Sequence, residues 1–173
     1  MPATETVNLA GLRDTLGRLG APVRDMSGLL RTVGVYLVAT SKRAIQQGRS
    51  PGGEQFAAWA PSTARRRKGG KILYDRGLML AAYQTQPMGP TSLLWGNAVS
   101  YFRFHQTGTT RKVIARAKPV PAGAKGKKRK PARAVKPTQI KMPARVTVEA
   151  SPNVLYRIAA MAADYAVKQL RER

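Results

Sequence analysis

Five cations within six residues form the densest cluster of reactive side chains in the sequence. They lie in the run KGKKRK: Lys125, Lys127, Lys128, Arg129 and Lys130. Such side chains attract phosphates and carboxylates, so the cluster predicts contact with nucleic acid or with an acidic protein surface. No aromatic residue lies nearby to stack on bases, so we expect any DNA contact to involve the backbone, without sequence preference. A solvated, solubilising loop is the alternative reading.

Side chains for enzyme chemistry are scarce. His105, in the run FRFHQTG, is the only histidine, and the chain has no cysteine. The eight acidic residues are scattered and form no carboxylate motif. The GGK run at 69–71 lacks the second glycine and the hydroxyl residue that a phosphate-binding loop requires. We therefore expect no catalytic, metal-binding or cofactor-binding residues, and we interpret His105 as structural.

Positive charge is concentrated in the second half of the chain. The sequence has 31 Lys and Arg against 8 Asp and Glu, a formal net charge of +23. None of the acids falls between Arg76 and Val148. The segment 117–137 is rich in Lys, Pro, Gly and Ala, and such a composition buries too little apolar surface to offset the entropy of ordering. We expect a single domain over 1–173, with 117–137 as a mobile loop or arm within it.

Hydrophobic spacing in the first half of the chain favours helices. Leucines at helical intervals predict a helix from Val7 to Leu19, and a longer apolar stripe predicts a second helix that ends near Gly48. Two short helices are expected further on, the first from Ser62 through the basic run and the second over 76–83.

The second half carries the strand signals. Apolar runs and alternation predict strands over 91–95, with a turn at Gly96 and Asn97, and over 112–116, 138–142 and 145–149. We also count the aromatic run 99–105 among the strand signals. Its aromatic side chains would lie either in the core or at a subunit interface. Strands 112–116 and 138–142 flank the basic segment, which would make it the tip of a long hairpin. Ser151 and Pro152 favour the start of a last helix that extends to Leu170.

Together these elements predict an α+β fold. Helices at the N-terminus precede a small antiparallel β-sheet with a long basic hairpin loop, and a C-terminal helix packs on the sheet. No apolar run approaches the length of a membrane-spanning helix, and the polar N-terminus is not typical of a secretory signal. We expect no membrane partner.

The order of short motifs resembles the virion morphogenesis family of tailed bacteriophages, also called tail completion proteins. The resemblance covers roughly Leu29 to Leu170 and rests on four elements in the family's order. They are WAPS (59–62), ILYDRGLML (72–80), WGN (95–97) followed by Tyr101 and HQTG (105–108), and MPAR (142–145).

This resemblance implies a structural virion protein and not an enzyme. Family members act at the neck, where the tail joins the DNA-filled head, and relatives there form closed rings, usually of six subunits. The implied partners are further copies of the chain, neighbouring neck and tail proteins, and the DNA backbone in the lumen. The implied location is the virion, after assembly in the host cytoplasm. The alternative is a basic nucleic-acid-binding protein without sequence specificity, working as a monomer or dimer.

Overall fold

The computed structural model describes residues 4–18, 26–67, 70–113 and 138–171. In these ranges helices and short strands are mixed along the chain, which confirms the predicted α+β class. In chain order the elements are β1 (Thr4–Asn8), α1 (Ala10–Arg18), α2 (Ser27–Gln47), α3 (Pro61–Arg67), α4 (Leu78–Ala81), β2 (Tyr83–Pro87), β3 (Ser92–Asn97), α5 (Phe102–Thr107), β4 (Thr109–Val113), β5 (Thr138–Met142) and α6 (Pro152–Arg171).

The strands form two antiparallel groups. β3 is the central strand of a three-stranded sheet in the order β1-β3-β2, and β4 pairs with β5 in a separate two-stranded ladder. In the larger sheet Glu5 and Thr85 both lie opposite Trp95. β1 and β2 are therefore the two edges of this sheet.

Strand β2 ends in a proline that its edge position tolerates. Backbone hydrogen bonds join Met88 N to Ser92 O at 2.9 Å and Ala98 N to Ala82 O at 3.1 Å. Because hydrogen-bonded and non-hydrogen-bonded pairs alternate in an antiparallel ladder, Pro87 falls at a pair that exchanges no hydrogen bonds with β3. Its missing N–H therefore weakens no ladder contact, as is usual for proline on an edge strand.

The core lies between the three-stranded sheet and the two long helices. Helix α2 buries one stripe along its length, with Val33, Leu37 and Ile45 fully inaccessible. Helix α6 contributes Val154, Ile158 and Ala162 to the same cluster as Trp95 of β3. The C-terminal helix thus shares one core with the sheet, and it packs against α2. The predicted end of α2 is confirmed, because Gly48 closes the helix in the left-handed conformation.

The N-terminal prediction was partly wrong. Val7 lies in β1 and not in a helix, and α1 begins only at Ala10, whose N–H donates to Asn8 Oδ1 at 2.8 Å. The side chains of Val7 and Leu9 are buried in the core. Pairing with β3 places this apolar pair on the sheet, so the leucine spacing that predicted a helix applies only beyond Leu9.

Around β2 and β3 the predicted boundaries also need correction. The helix expected over 76–83 is reduced to α4, because Gly77 has a positive φ of 79° and Tyr83 is already paired with Asn97. The strand predicted over 91–95 continues through Gly96 and Asn97, where we expected a turn. Asn97 is paired with Tyr83, and its side-chain amide donates to Met79 O at 2.7 Å.

Two further strand predictions were wrong in type. The aromatic run 99–105 enters helix α5, and 145–149 is irregular, with a bend at Val148, and pairs with no strand in the described residues. The strand predicted at 112–116 lies at 109–113 as far as the structure describes it. Helix α6 begins at Pro152 as expected, but the hydroxyl of Ser151 is buried without a hydrogen-bond partner among the described residues and caps nothing there.

None of the helices in the described residues combines the length and the apolar character that crossing a membrane requires.

Candidate assembly and polyanion interface

The predicted polyanion contact lies outside the described residues. Lys125, Lys127, Lys128, Arg129 and Lys130 all belong to 114–137. The structure does describe the two strands on either side, and Val113 is paired directly with Thr138. The chain therefore leaves and re-enters the described structure at one place, the end of the β4–β5 ladder.

A cationic cleft of about 360 Å³ lies at the other end of this ladder, beside Met142 and Pro143. Its charged lining residues among the described ones are four cations and one acid: Arg67, Arg76, Lys141, Arg145 and Asp75. The acid is already engaged, since an Asp75 carboxylate oxygen lies 3.3 Å from Arg67 Nη2. The cleft as a whole is therefore electropositive and suits an anionic or acidic partner surface.

An aromatic side chain of the cleft makes a cation–π contact with one of its arginines. Arg67 stands over the ring of Trp59, 5.7 Å from its centroid, and its Nη1 donates to Tyr74 O at 3.1 Å. A guanidinium over an indole ring is held by the ring's quadrupole. Together these contacts fix Arg67 at the edge of the cleft, next to the segment that connects α3 with α4.

Arg145 forms the floor of the cleft and is the least accessible cation there. It is 7% exposed, its Nε donates to Ala57 O at 3.1 Å, and its Nη2 donates to Ala58 O at 3.2 Å. Burial lowers the pKa of this guanidinium. The two carbonyls compensate part of that desolvation, and they fasten the segment before α3 to the segment after β5.

His105 contacts the same floor from α5. Its carbonyl accepts from Arg145 N, and its ring meets Tyr101 edge-on, with centroids 6.1 Å apart. Burial, followed by the nearby Arg145 charge, lowers the pKa of His105 and so favours the neutral imidazole. Its Nδ1 has no hydrogen-bond partner among the described residues.

Among the described residues, no carboxylate orients the His105 ring through Nδ1. The acid that shares the cleft, Asp75, is paired with Arg67 and does not orient the imidazole. No group of three or more histidine and acidic side chains in the described residues is arranged to hold a metal ion. The arrangement is suited to binding and to joining segments of the chain.

Gln106, the next residue on α5, organises the segment after Arg145. Its Oε1 accepts from Thr147 N at 3.1 Å and from Val148 N at 3.4 Å, while its Nε2 donates to Val148 O. Thr147 is also held from two other elements. Ser41 Oγ donates to Thr147 O at 2.9 Å, and the Tyr83 hydroxyl donates to Thr147 Oγ1 at 2.6 Å.

The aromatic run 99–105 lies only partly in the core, which it shares with Trp95 of β3. Trp95 and Phe102 are fully buried in the core, and Phe102 meets Tyr83 edge-on at 5.8 Å. Tyr101 and Phe104 remain 43% and 39% exposed. Sequence alone did not separate them, because the division follows from which face of α5 meets the sheet.

Motifs far apart in the sequence meet at this cleft. The cleft is lined by residues from all four motif elements: Trp59 of WAPS, Leu73 and Leu78 of ILYDRGLML, His105 of HQTG and Arg145 of MPAR. Each of the four motif elements thus contributes at least one residue to the same cleft. Sequence reasoning missed the role of Arg145, since its partners are backbone carbonyls that no side-chain pattern reveals.

A known protein family matches most of the chain. The model of the phage virion morphogenesis family matches residues 7–166. Neither the curated proteins nor the solved structures contain a match to this chain. The family match includes all four motif elements and nearly all of the described structure, and the chain belongs to the phage virion morphogenesis family.

Proposed function

We propose that the chain is a tail completion protein that forms a closed ring of six subunits at the neck, where the tail joins the head. It serves as a structural component of the virion and not as an enzyme. It assembles in the host cytoplasm and contacts neighbouring neck and tail proteins on the faces of the ring. Its family membership supports the general role in virion morphogenesis.

The observation that carries the finer proposal is the pairing of Val113 with Thr138. It brings together, at one point of each subunit, the two described chain positions that border the acid-free basic segment, while the segment itself, predicted as a mobile hairpin loop over 117–137, lies outside the described residues. The chain has only eight acidic residues that could pair with the five clustered cations of this segment. In a ring, every copy adds the same surplus, which requires a polyanion nearby: the DNA backbone in the lumen, or acidic surfaces of adjacent rings.

The same charge also favours the alternative, a nucleic-acid-binding protein without sequence specificity. The two functions differ in assembly. A binding protein of this kind acts as a monomer or dimer on DNA or RNA, whereas a neck component acts as a closed ring on a particle.

A phage carrying a stop codon in this gene tests the proposal. We expect lysates with filled heads and separate tails, seen by electron microscopy, and joined particles when the chain is supplied in trans. Particles recovered after complementation should contain six copies of the chain per neck. Joined, infectious particles without the chain would refute the neck role, and heads lacking DNA would favour the nucleic-acid-binding alternative.

A further inference from the structure

Two cations of the cleft have no partner in the part of the chain that the structure describes. Arg76, in the segment before α4, and Lys141, on β5, are both exposed, and neither forms a hydrogen bond or an ion pair with a described residue. Arg67 and Arg145 are instead held by Asp75 and by two backbone carbonyls. Four cations against one acid leave three positive charges in the described lining that no acid there neutralises. Such a surplus in a concave site attracts anionic groups from outside the chain.

The walls of the cleft between these cations are largely apolar. Their larger side chains include Trp59, Leu73, Leu78, Tyr101 and Met142. Leu78 is 62% exposed and Tyr101 is 43% exposed, so part of this apolar surface faces solvent. Covering an exposed apolar side chain with another apolar group is favourable, in proportion to the area removed from water. The cleft therefore suits a ligand that carries carboxylates together with a large apolar side chain.

The same lining is a poor match for nucleic acid. A phosphate backbone presents a continuous row of charges and no apolar group, and the protein surfaces that bind it are strongly polar and cationic. Bases of a single strand stack on aromatic rings, but Arg67 already lies over the Trp59 ring and Tyr101 meets the His105 ring edge-on. The apolar walls therefore favour a protein ligand over DNA or RNA.

A second copy of this chain does not supply such a ligand. Its eight acids are scattered, and the two that lie closest in sequence, Asp164 and Glu172, are eight residues apart. No short segment of the sequence therefore carries two carboxylates. Copies with a net charge of +23 also repel one another. The ligand that fits the cleft accordingly belongs to a different protein.

We infer that the cleft binds a short acidic segment of a neighbouring virion protein, with at least two carboxylates and a large apolar side chain. The carboxylates pair with Arg76 and Lys141, and the apolar side chain packs against Leu78 and Tyr101. This inference rests on the proposed function for the identity of the neighbour, a neck or tail protein. The binding itself needs no ring, so it can be measured on the isolated full-length chain.

Trp59 provides a readout that is specific to the cleft. The other tryptophan of the chain, Trp95, is fully buried in the core. A ligand in the cleft should therefore protect Trp59 alone from quenching by acrylamide, and Trp59→Phe should abolish that protection. The probe is an end-blocked peptide without tryptophan, in which glutamates lie on both sides of a leucine. One matched peptide has glutamine in place of glutamate, and a second has glycine in place of leucine.

We expect the glutamate–leucine peptide to protect Trp59 and both matched peptides to bind more weakly. A cleft variant with Arg76→Gln and Lys141→Gln should lose about tenfold or more in affinity for this peptide, because two charged partners are removed. Its thermal unfolding should not change, since both side chains are exposed. The matched control combines Arg43→Gln and Arg157→Gln, which removes two exposed cations outside the cleft and should leave the affinity unchanged.

Four results would overturn the inference. They are the absence of peptide binding, equal loss of affinity in the cleft and control variants, equal binding of the glycine peptide, and an oligothymidylate that loses more affinity in the cleft variant than the peptide does. The last result would assign the cleft to nucleic acid. Absence of peptide binding, in a phage that still needs the chain to join heads and tails, would leave the proposed neck role intact. Selective peptide binding by a chain that is not needed for joining would support the cleft ligand and refute the neck role.

Discussion

The side chain of Gln106 pairs with the backbone of Val148 as a neighbouring strand would. Its Nε2 donates to Val148 O, and its Oε1 accepts from Val148 N at 3.4 Å. One amide thus satisfies both backbone groups of a residue that is 1% exposed. This contact satisfies the backbone of the irregular segment 145–149, which has no partner strand among the described residues.

Replacing Gln106 should therefore destabilise the fold without touching the apolar core. In Gln106→Glu the donor is lost, and Val148 O faces a second oxygen, which should lower the free energy of unfolding by about 1–3 kcal/mol. Gln86→Glu, at an exposed position of β2, makes the same chemical change and should have little effect. Urea unfolding of both variants at pH 7 measures the difference, and equal midpoints would show that Gln106 is not needed to hold Val148.

Gly108 should tolerate no side chain. It has φ +71°, and a Cβ atom there would lie 2.9 Å from both Ala144 N and Met142 O. Gly108→Ala should thus combine backbone strain of about 1–3 kcal/mol with a clash against backbone that cannot rotate away. Gly89→Ala is the control, because its Cβ would meet nothing within 4 Å. Thermal unfolding should separate the two variants clearly, and a stable Gly108→Ala would contradict the geometry.

The sequence predicted the parts of the fold that have a regular period. Helices α2 and α6 carry long apolar stripes, and both lie close to where the spacing placed them. Strand β1 was missed because its five residues carry no clear alternation and its partner, β3, lies far along the chain. The alternation at 145–149 was misleading, since Thr147 and Val148 are both buried and the segment's partner is a side chain.

The site was less accessible to sequence reasoning than the fold. The motif elements indicated which residues belong together, but only the fold shows that Trp59 and Arg145 line one cleft. The basic cluster was evident from composition alone, because charge density needs no fold to be recognised. What it contacts depends on partners, which a single chain does not specify.

Arg145 should be more sensitive to replacement by lysine than an exposed arginine. Its planar guanidinium donates from two nitrogens to the carbonyls of Ala57 and Ala58, a geometry that a lysine ammonium does not reproduce. Arg145→Lys should lower the free energy of unfolding by about 1–3 kcal/mol, because a charge remains buried with fewer partners. Arg43→Lys, on the exposed face of α2, is the control. Unchanged stability of Arg145→Lys in urea would show that the two carbonyls contribute little.

His105 should make stability depend on pH below its ordinary pKa. Burial and the nearby Arg145 lower the pKa of His105 from 6.5 in the folded chain, so the unfolded chain binds the proton more readily. Its contribution is therefore fully present above pH 6.5 and is lost as the pH falls toward the folded-state pKa.

The comparison of the unmodified chain with His105→Gln isolates this effect. The difference between their urea midpoints should change below pH 6.5 and stay constant above it. Because the chain has one histidine, NMR titration of its imidazole measures the folded pKa directly. Particle assembly should be near normal in His105→Gln, as expected for a structural residue. A folded pKa at or above 6.5, or a hydrolytic activity lost in this variant, would contradict that role.

The basic cluster should act through charge and not through shape. Replacing Lys125, Lys127, Lys128, Arg129 and Lys130 by glutamine removes five of the 31 cations and no apolar residue, so the fold should persist. For five phosphate contacts, the slope of log K against log salt is about −4 to −5, and the glutamine variant should flatten the measured slope by that amount or yield fewer completed particles. Exchange of the four lysines for arginine keeps every charge and should do neither, because a backbone contact does not distinguish the two cations. Full assembly by the glutamine variant with an unchanged salt slope would mean that the cluster only solubilises the chain.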